Sequence, residues 1–179
     1  IEISKKFKSV SFNVSIDAVG NLANYIRHPS NWETIKNNLQ NINKNGDGVS
    51  FNTTIQWLNM TRLNEIFDYI ENCNIPFGGI WFQLVTDPPY LDPIHAPKFM
   101  KEKCIADIEN FLNRPFLLEE KYNNILYGEL KQSLIQTKEF LTKNLDHVKY
   151  VDEFLKRMEI LDRLRGQSLF KALPELKQL

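Results

Sequence analysis

The run from Ser11 to Arg27, SFNVSIDAVGNLANYIR, decides how this chain is read. Phe12, Val14 and Ile16 fall on one side of an extended backbone, and Ser11, Asn13, Ser15 and Asp17 fall on the other. Side chains of a strand alternate between faces, so this is the pattern of a half-buried strand, predicted over about residues 9–17. The polar side is uniform, and the run ends in a turn containing Gly20. Such a strand delivers polar groups to one place. A merely solvated strand face produces the same row, and what separates the two readings is recurrence.

The device recurs twice. From Val49 to Trp57 the apolar row Val49, Phe51, Thr53, Ile55 and Trp57 alternates with Ser50, Asn52, Thr54 and Gln56. From Gly79 to Val85, Ile80, Phe82 and Leu84 oppose Trp81, Gln83 and Val85, and Pro88 and Pro89 close the strand because proline brings no ladder donor. Helices fall between. Ser30-Asn31-Trp32-Glu33 has the form of a capping box with Ser30 as N-cap, opening a helix whose stripe is Trp32, Ile35, Leu39 and Ile42 and which ends at Asn45-Gly46-Asp47-Gly48. A second helix is predicted from about Thr61, with Leu63, Ile66, Phe67 and Ile70 on one face.

Strand, helix, strand, helix, strand at this spacing implies an α/β fold of three parallel strands joined by right-handed crossovers, in sequential order. Ligands of such sheets gather beyond the carboxyl ends of the strands. Parallel sheets are usually covered on both faces and read apolar throughout. Three successive polar rows therefore imply a polar cavity on that side.

Beyond Pro89 the chain reads as all-helical. Pro97 suits a first helical turn ahead of Met100, Cys104, Ile108 and Phe111, and Arg114-Pro115 breaks that helix. A long helix is predicted over 118–143, with Tyr122, Leu126, Leu130 and Leu134 in its stripe. Another follows from Asp146 as N-cap to Arg165, with Val151, Phe154, Met158 and Leu161 inward and Gly166 as terminator. The change of class places a boundary near residue 93, between an α/β part (1–93) and a helical part (94–179) packed on it.

Composition excludes several classes. The 179 residues carry 22 acidic and 22 basic side chains, and no basic stripe appears, which argues against nucleic acid and anionic membranes as partners. No apolar run approaches the ~20 residues that span a bilayer. Cys73 and Cys104 are the only cysteines, too few for a disulfide framework or a metal cluster of their own, and they read as buried thiols of a reduced, cytoplasmic compartment.

Ser15-Ile16-Asp17-Ala18 followed by Tyr25-Ile26-Arg27, Ser30-Asn31-Trp32 opening a helix, Val49-Ser50-Phe51-Asn52-Thr53-Thr54-Ile55, and Asp87-Pro88-Pro89-Tyr90-Leu91 together resemble the second half of a radical S-adenosylmethionine enzyme. The similarity is to the branch with SPASM or twitch extensions. It covers roughly residues 9–93, with a weaker echo in Leu161-Asp162-Arg163-Leu164-Arg165-Gly166. The resemblance implies a partial TIM-type barrel, of which these strands would be the fourth, fifth and sixth. It also implies that Ser15 and Arg27 meet the methionyl carboxylate of the cofactor, with Asp17 beside them and Asn52, Thr54 and Gln83 lining the same cavity. A guanidinium and a hydroxyl suit a carboxylate. The competing role for Arg27 is a surface ion pair with Asp17.

The family's CxxxCxxC motif, which holds a four-iron, four-sulfur cluster, does not occur among these residues, and glycine is usual where Ala18 stands. The expectation is that the first strands and the cluster motif precede Ile1 in a longer protein. The isolated chain would then bind no cofactor, cleave no S-adenosylmethionine, and present a first-strand edge open to self-association. A complete enzyme would abstract hydrogen from a peptide or small-molecule substrate. The alternative is a non-catalytic α/β binding or scaffold domain.

Overall fold

The computed structural model describes residues 6–7, 10–44, 48–75, 77–115 and 125–179. Its first strand, β1 (Ser11–Ser15), leads into a short helix α1 (Gly20–Ile26), then α2 (Trp32–Lys44), β2 (Gly48–Ile55), α3 (Leu63–Asn72) and β3 (Phe77–Leu84). The helical remainder comprises α4 (Lys98–Leu112), α5 (Ile125–Lys143), α6 (Val151–Arg165) and the four-residue α7 (Leu169–Ala172). Tight 3-10 turns lie at Pro89–Leu91, Pro93–His95 and Pro174–Gln178. Among the described residues, no helix is long and apolar enough to cross a membrane.

The three strands form one parallel sheet in the order β1-β2-β3, as the crossover rule requires. Register fixes the faces. Phe12 stands beside Val49, Val14 beside Phe51, Phe51 in turn beside Ile80, Thr53 beside Phe82, and Ile55 beside Leu84. A bulge between Val49 and Ser50 absorbs Gly78, so Phe77 keeps its place beside Val49 on the same apolar side. Phe51, Ile55, Ile80 and Phe82 are buried there under α2 and α3. Phe67 of α3 touches the Phe82 ring and stacks on Phe111 of α4 with centroids 4.0 Å apart, carrying the core from the sheet into the helices. Helix α5 packs against β3, and Leu130, Leu134, Leu141, Phe154 and Met158 join the same buried cluster.

Several local expectations need correction. The segment after β1 contains a helix, α1, because Leu22, Ala23 and Tyr25 bury one side of it. Helix α2 starts at Trp32 with Asn31, not Ser30, at its cap: the Asn31 side chain accepts from the Thr34 N–H at 3.2 Å, and Asn24 takes the Trp32 N–H at 2.6 Å. Helix α3 starts at Leu63, because the Thr61 hydroxyl is turned to Glu175 instead of the helix. Pro97 is the residue before α4 rather than part of its first turn. Helix α6 starts at Val151, not after Asp146, which pairs with Lys98. Tyr150 precedes α6 in the left-handed conformation, and Gly166 ends it at φ 63°, where a residue without Cβ is favoured. The expected helix start at 118, Tyr122, the terminator at 45–47 and Ser9 lie outside the described residues, and nothing is described of the Leu126 side chain.

Candidate functional site

The face opposite the helices carries the polar rows. Ser11, Asn13 and Ser15 of β1 stand beside Gly48, Ser50 and Asn52 of β2, and Asn52 and Thr54 stand beside Trp81 and Gln83 of β3. Ser15, Trp81 and Gln83 are exposed, and Asn52 and Thr54 are half-buried. The Asn52 amide donates to Asn13 Oδ1 at 2.7 Å, a cross-strand pair on this face. Trp81 lies flat on its own strand: a Cβ at Gly79 would collide with the indole. Glycine at position 79 lets the indole rest there, and a side chain would displace the ring, which is 37 % exposed.

Asp17 sits just past the end of β1 and is 6 % exposed. Its Oδ1 accepts the Thr54 backbone N–H at 3.0 Å, and its Oδ2 accepts Arg27 Nε at 2.9 Å and Nη2 at 2.7 Å. Arg27 is the residue after α1, so one short helix, not a glycine turn, folds it back over the strand end. The expected neighbourhood of Asp17 and Arg27 exists. The guanidinium edge formed by Nε and Nη2 is turned onto Asp17, as the ion-pair role required. Ser15 stands on the polar face without joining that pair among the described bonds, while the backbone of Thr54 is tied to it.

Beside Asp17 is a polar knot centred on Asn59, at the end of the second strand. Asn59, fully buried, donates its amide to both Asp17 O and Thr54 O at 2.8 Å and accepts the Gln56 N–H at 2.8 Å. The Thr53 hydroxyl donates to Ile16 O at 2.8 Å. These bonds fasten the carboxyl ends of β1 and β2 to each other, since each buried polar group there finds a partner. The legible signal was an Asn placed four residues past a strand end, and it does not distinguish a structural clamp from a ligand group.

The helical region closes over the same ends. Tyr25 of α1 donates to Asp162 of α6 at 2.8 Å, and burial with that carboxylate pushes its hydroxyl pKa well up. Asp162 also takes the Leu169 N–H at 2.6 Å. Glu175 accepts from Thr61, from Arg62 Nε at 2.6 Å and from Arg62 Nη2 at 2.8 Å. Although burial opposes it, the Arg62 pair holds the Glu175 carboxyl below the ordinary carboxylate value. A concavity of about 590 Å³ between α6 and α7 is lined by Leu155, Met158, Glu159, Asp162, Leu169 and Phe170, not by the residues of the sheet face.

Cysteine chemistry finds no cluster. Cys104 is fully enclosed and burial drives its thiol pKa up; Cys73 caps α3, half-buried, and burial raises it too. Among the described residues no group of three or more His, Cys, Asp or Glu could hold a metal ion. Compared with known proteins, the chain matches no family model, no curated protein and no solved structure.

Proposed function

We propose that the chain is the part of a radical S-adenosylmethionine enzyme that carries the fourth to sixth strands of a partial TIM-type barrel and receives the methionyl end of the cofactor. The observation behind the reading is the bare polar face. A parallel sheet is normally covered on both sides, whereas here helices bury one side and Ser15, Asn52, Thr54, Trp81 and Gln83 occupy the other. Such a face suits the wall of a barrel lumen.

The donor set fits the amino-acid end of the cofactor in part. The Ser15 hydroxyl and the Nη1 side of Arg27 would meet a carboxylate, with Asp17 fixing the guanidinium plane through Nε and Nη2. Asn52, Thr54 and Gln83 would supply hydrogen bonds along the wall. When bound, the cofactor supplies the 5′-deoxyadenosyl radical that abstracts hydrogen from a peptide or small-molecule substrate. The cluster does not fit this chain, because thiolates hold it and Cys104 is enclosed while Cys73 stands on another helix. Its cysteines would belong to a segment outside these 179 residues.

The test is the coding sequence upstream of Ile1, expected to encode three clustered cysteines. In that longer protein Arg27→Ala weakens cofactor binding by about 1.5–3 kcal/mol, the range for hydrogen bonds to charged groups. The 179 residues alone, reconstituted anaerobically with iron and sulfide, form no four-iron chromophore and cleave no S-adenosylmethionine. An upstream region without clustered cysteines, or normal cofactor binding by the Arg27 variant, overturns the proposal. One observation favours the second reading, a non-catalytic α/β binding or scaffold domain: both Asp17 oxygens and one edge of Arg27 are already satisfied within the chain.

A further inference from the structure

Away from the sheet, His95 and His147 meet with Nδ1 and Nε2 3.0 Å apart, their ring centroids at 5.0 Å and their planes at 37°. The rings come from different places: His95 ends the 3-10 turn Pro93–His95, and His147 lies in the link between α5 and α6. Main-chain bonds bring them together. Lys149 N donates to His95 O at 3.1 Å, His95 N to Asp92 O at 3.0 Å, and His147 N to Asn144 O at 3.1 Å. The ammonium of Lys101, buried in α4, donates to His147 O at 2.6 Å and to Asn144 O at 2.7 Å. The two backbones are thus positioned without help from the rings.

We propose that His95 and His147 are a two-imidazole chelate for a borderline divalent cation such as zinc or nickel. Two nitrogens each bound 2.0–2.1 Å from one cation lie about 2.9–3.4 Å apart, for ligand–metal–ligand angles between 90° and tetrahedral. The observed separation falls in that interval. An imidazole–imidazole hydrogen bond has the same length; when the cation takes the lone pairs of His95 Nδ1 and His147 Nε2, the proton the pair shared is carried by His147 Nδ1 and both imidazoles stay neutral. Imidazole selects zinc, nickel and copper over magnesium and calcium, which take oxygen. Both rings are half-buried, and with two protein ligands the remaining positions are filled by water. Binding would tie the α5–α6 link to the turn at Pro93–His95. It is independent of the reading of the sheet face.

Calorimetric titration of the 179-residue chain with zinc chloride, and separately with nickel chloride, at pH 7.5 tests this. One cation per chain is expected, with a thermal midpoint that rises as metal is added. His95→Gln and His147→Gln, which keep a polar side chain, each weaken binding by at least about 10-fold, since loss of even an outer-shell partner costs that much. His28→Ala and Cys73→Ser, removing the exposed imidazole and the half-buried thiol, leave it unchanged. Copper(II) bound to the unaltered chain shows hyperfine structure from two nitrogens, a readout that does not depend on how the variants fold. Absence of saturable binding, retention of affinity in both glutamine variants, or a copper spectrum without two nitrogens refutes the site.

Discussion

Asp17 is where a clamp and a ligand site make different demands, and its replacement separates two contributions. Asp17→Ala removes the acceptor for the Thr54 N–H and both bonds from Arg27. A buried donor left without a partner costs about 1–3 kcal/mol. The Arg27 side chain is 39 % exposed, so its pair is largely screened and contributes at most about 1 kcal/mol. The expected loss is about 1–4 kcal/mol. For a chain of this size, 1 kcal/mol moves the melting temperature by roughly 2–4 °C, giving a drop of roughly 2–16 °C. Asp17→Asn keeps an oxygen for Thr54 and loses the Arg27 pair, because an amide NH2 replaces the accepting Oδ2, so it loses about 1 kcal/mol or less. Urea unfolding followed by circular dichroism gives these differences from midpoint shifts at constant slope. If alanine and asparagine at position 17 destabilise equally, the Thr54 bond is not what fastens β1 to β2 and the argument fails.

Lys101→Met leaves Asn144 O and His147 O without their ammonium donor, and a loss of about 2–5 kcal/mol in urea unfolding is expected; a change under 1 kcal/mol would show that water replaces it. Glu175 has a folded pKa below its unfolded value, so its contribution is fully present above about 4.5 and is lost as pH falls from there through the folded value. The stability gap between the unaltered chain and Glu175→Gln therefore narrows when urea midpoints at pH 7 and pH 3.5 are compared, and a constant gap refutes the linkage. β1 is an edge strand whose polar residues are exposed, and such edges invite pairing. Light scattering after gel filtration should show self-association that Asn13→Pro, by removing a backbone donor from the open edge, reduces, since the even-numbered residues of β1 bond to β2; a strictly monomeric chain at all concentrations contradicts it.

The strands were legible because burial on one face imposes a period of two on the sequence itself: the Phe12, Phe51 and Phe82 rows, and the polar rows opposite, read directly as sides of a sheet. The stripes Leu63-Ile66-Phe67-Ile70 and Met100-Cys104-Ile108-Phe111 were legible for the same reason at helical period, and all eight residues are buried. Parallel order followed from spacing and the handedness of crossovers. Helix α1 carried its own signal in Leu22, Ala23, Tyr25 and Ile26. Seven residues are too few to hold a helix without tertiary support, so Gly20-Asn21 read as a turn. What only the tertiary structure decided are the partners of polar side chains. Arg27 could reach a ligand or Asp17, Asn31 or Ser30 could cap α2, and Asp146 could cap a helix or pair with Lys98. Local sequence offers each group several acceptors of similar strength. The choice among them is made by which one the packed core brings within about 3 Å. His95 and His147 meet for that reason, 52 residues apart in sequence and 3.0 Å apart in space.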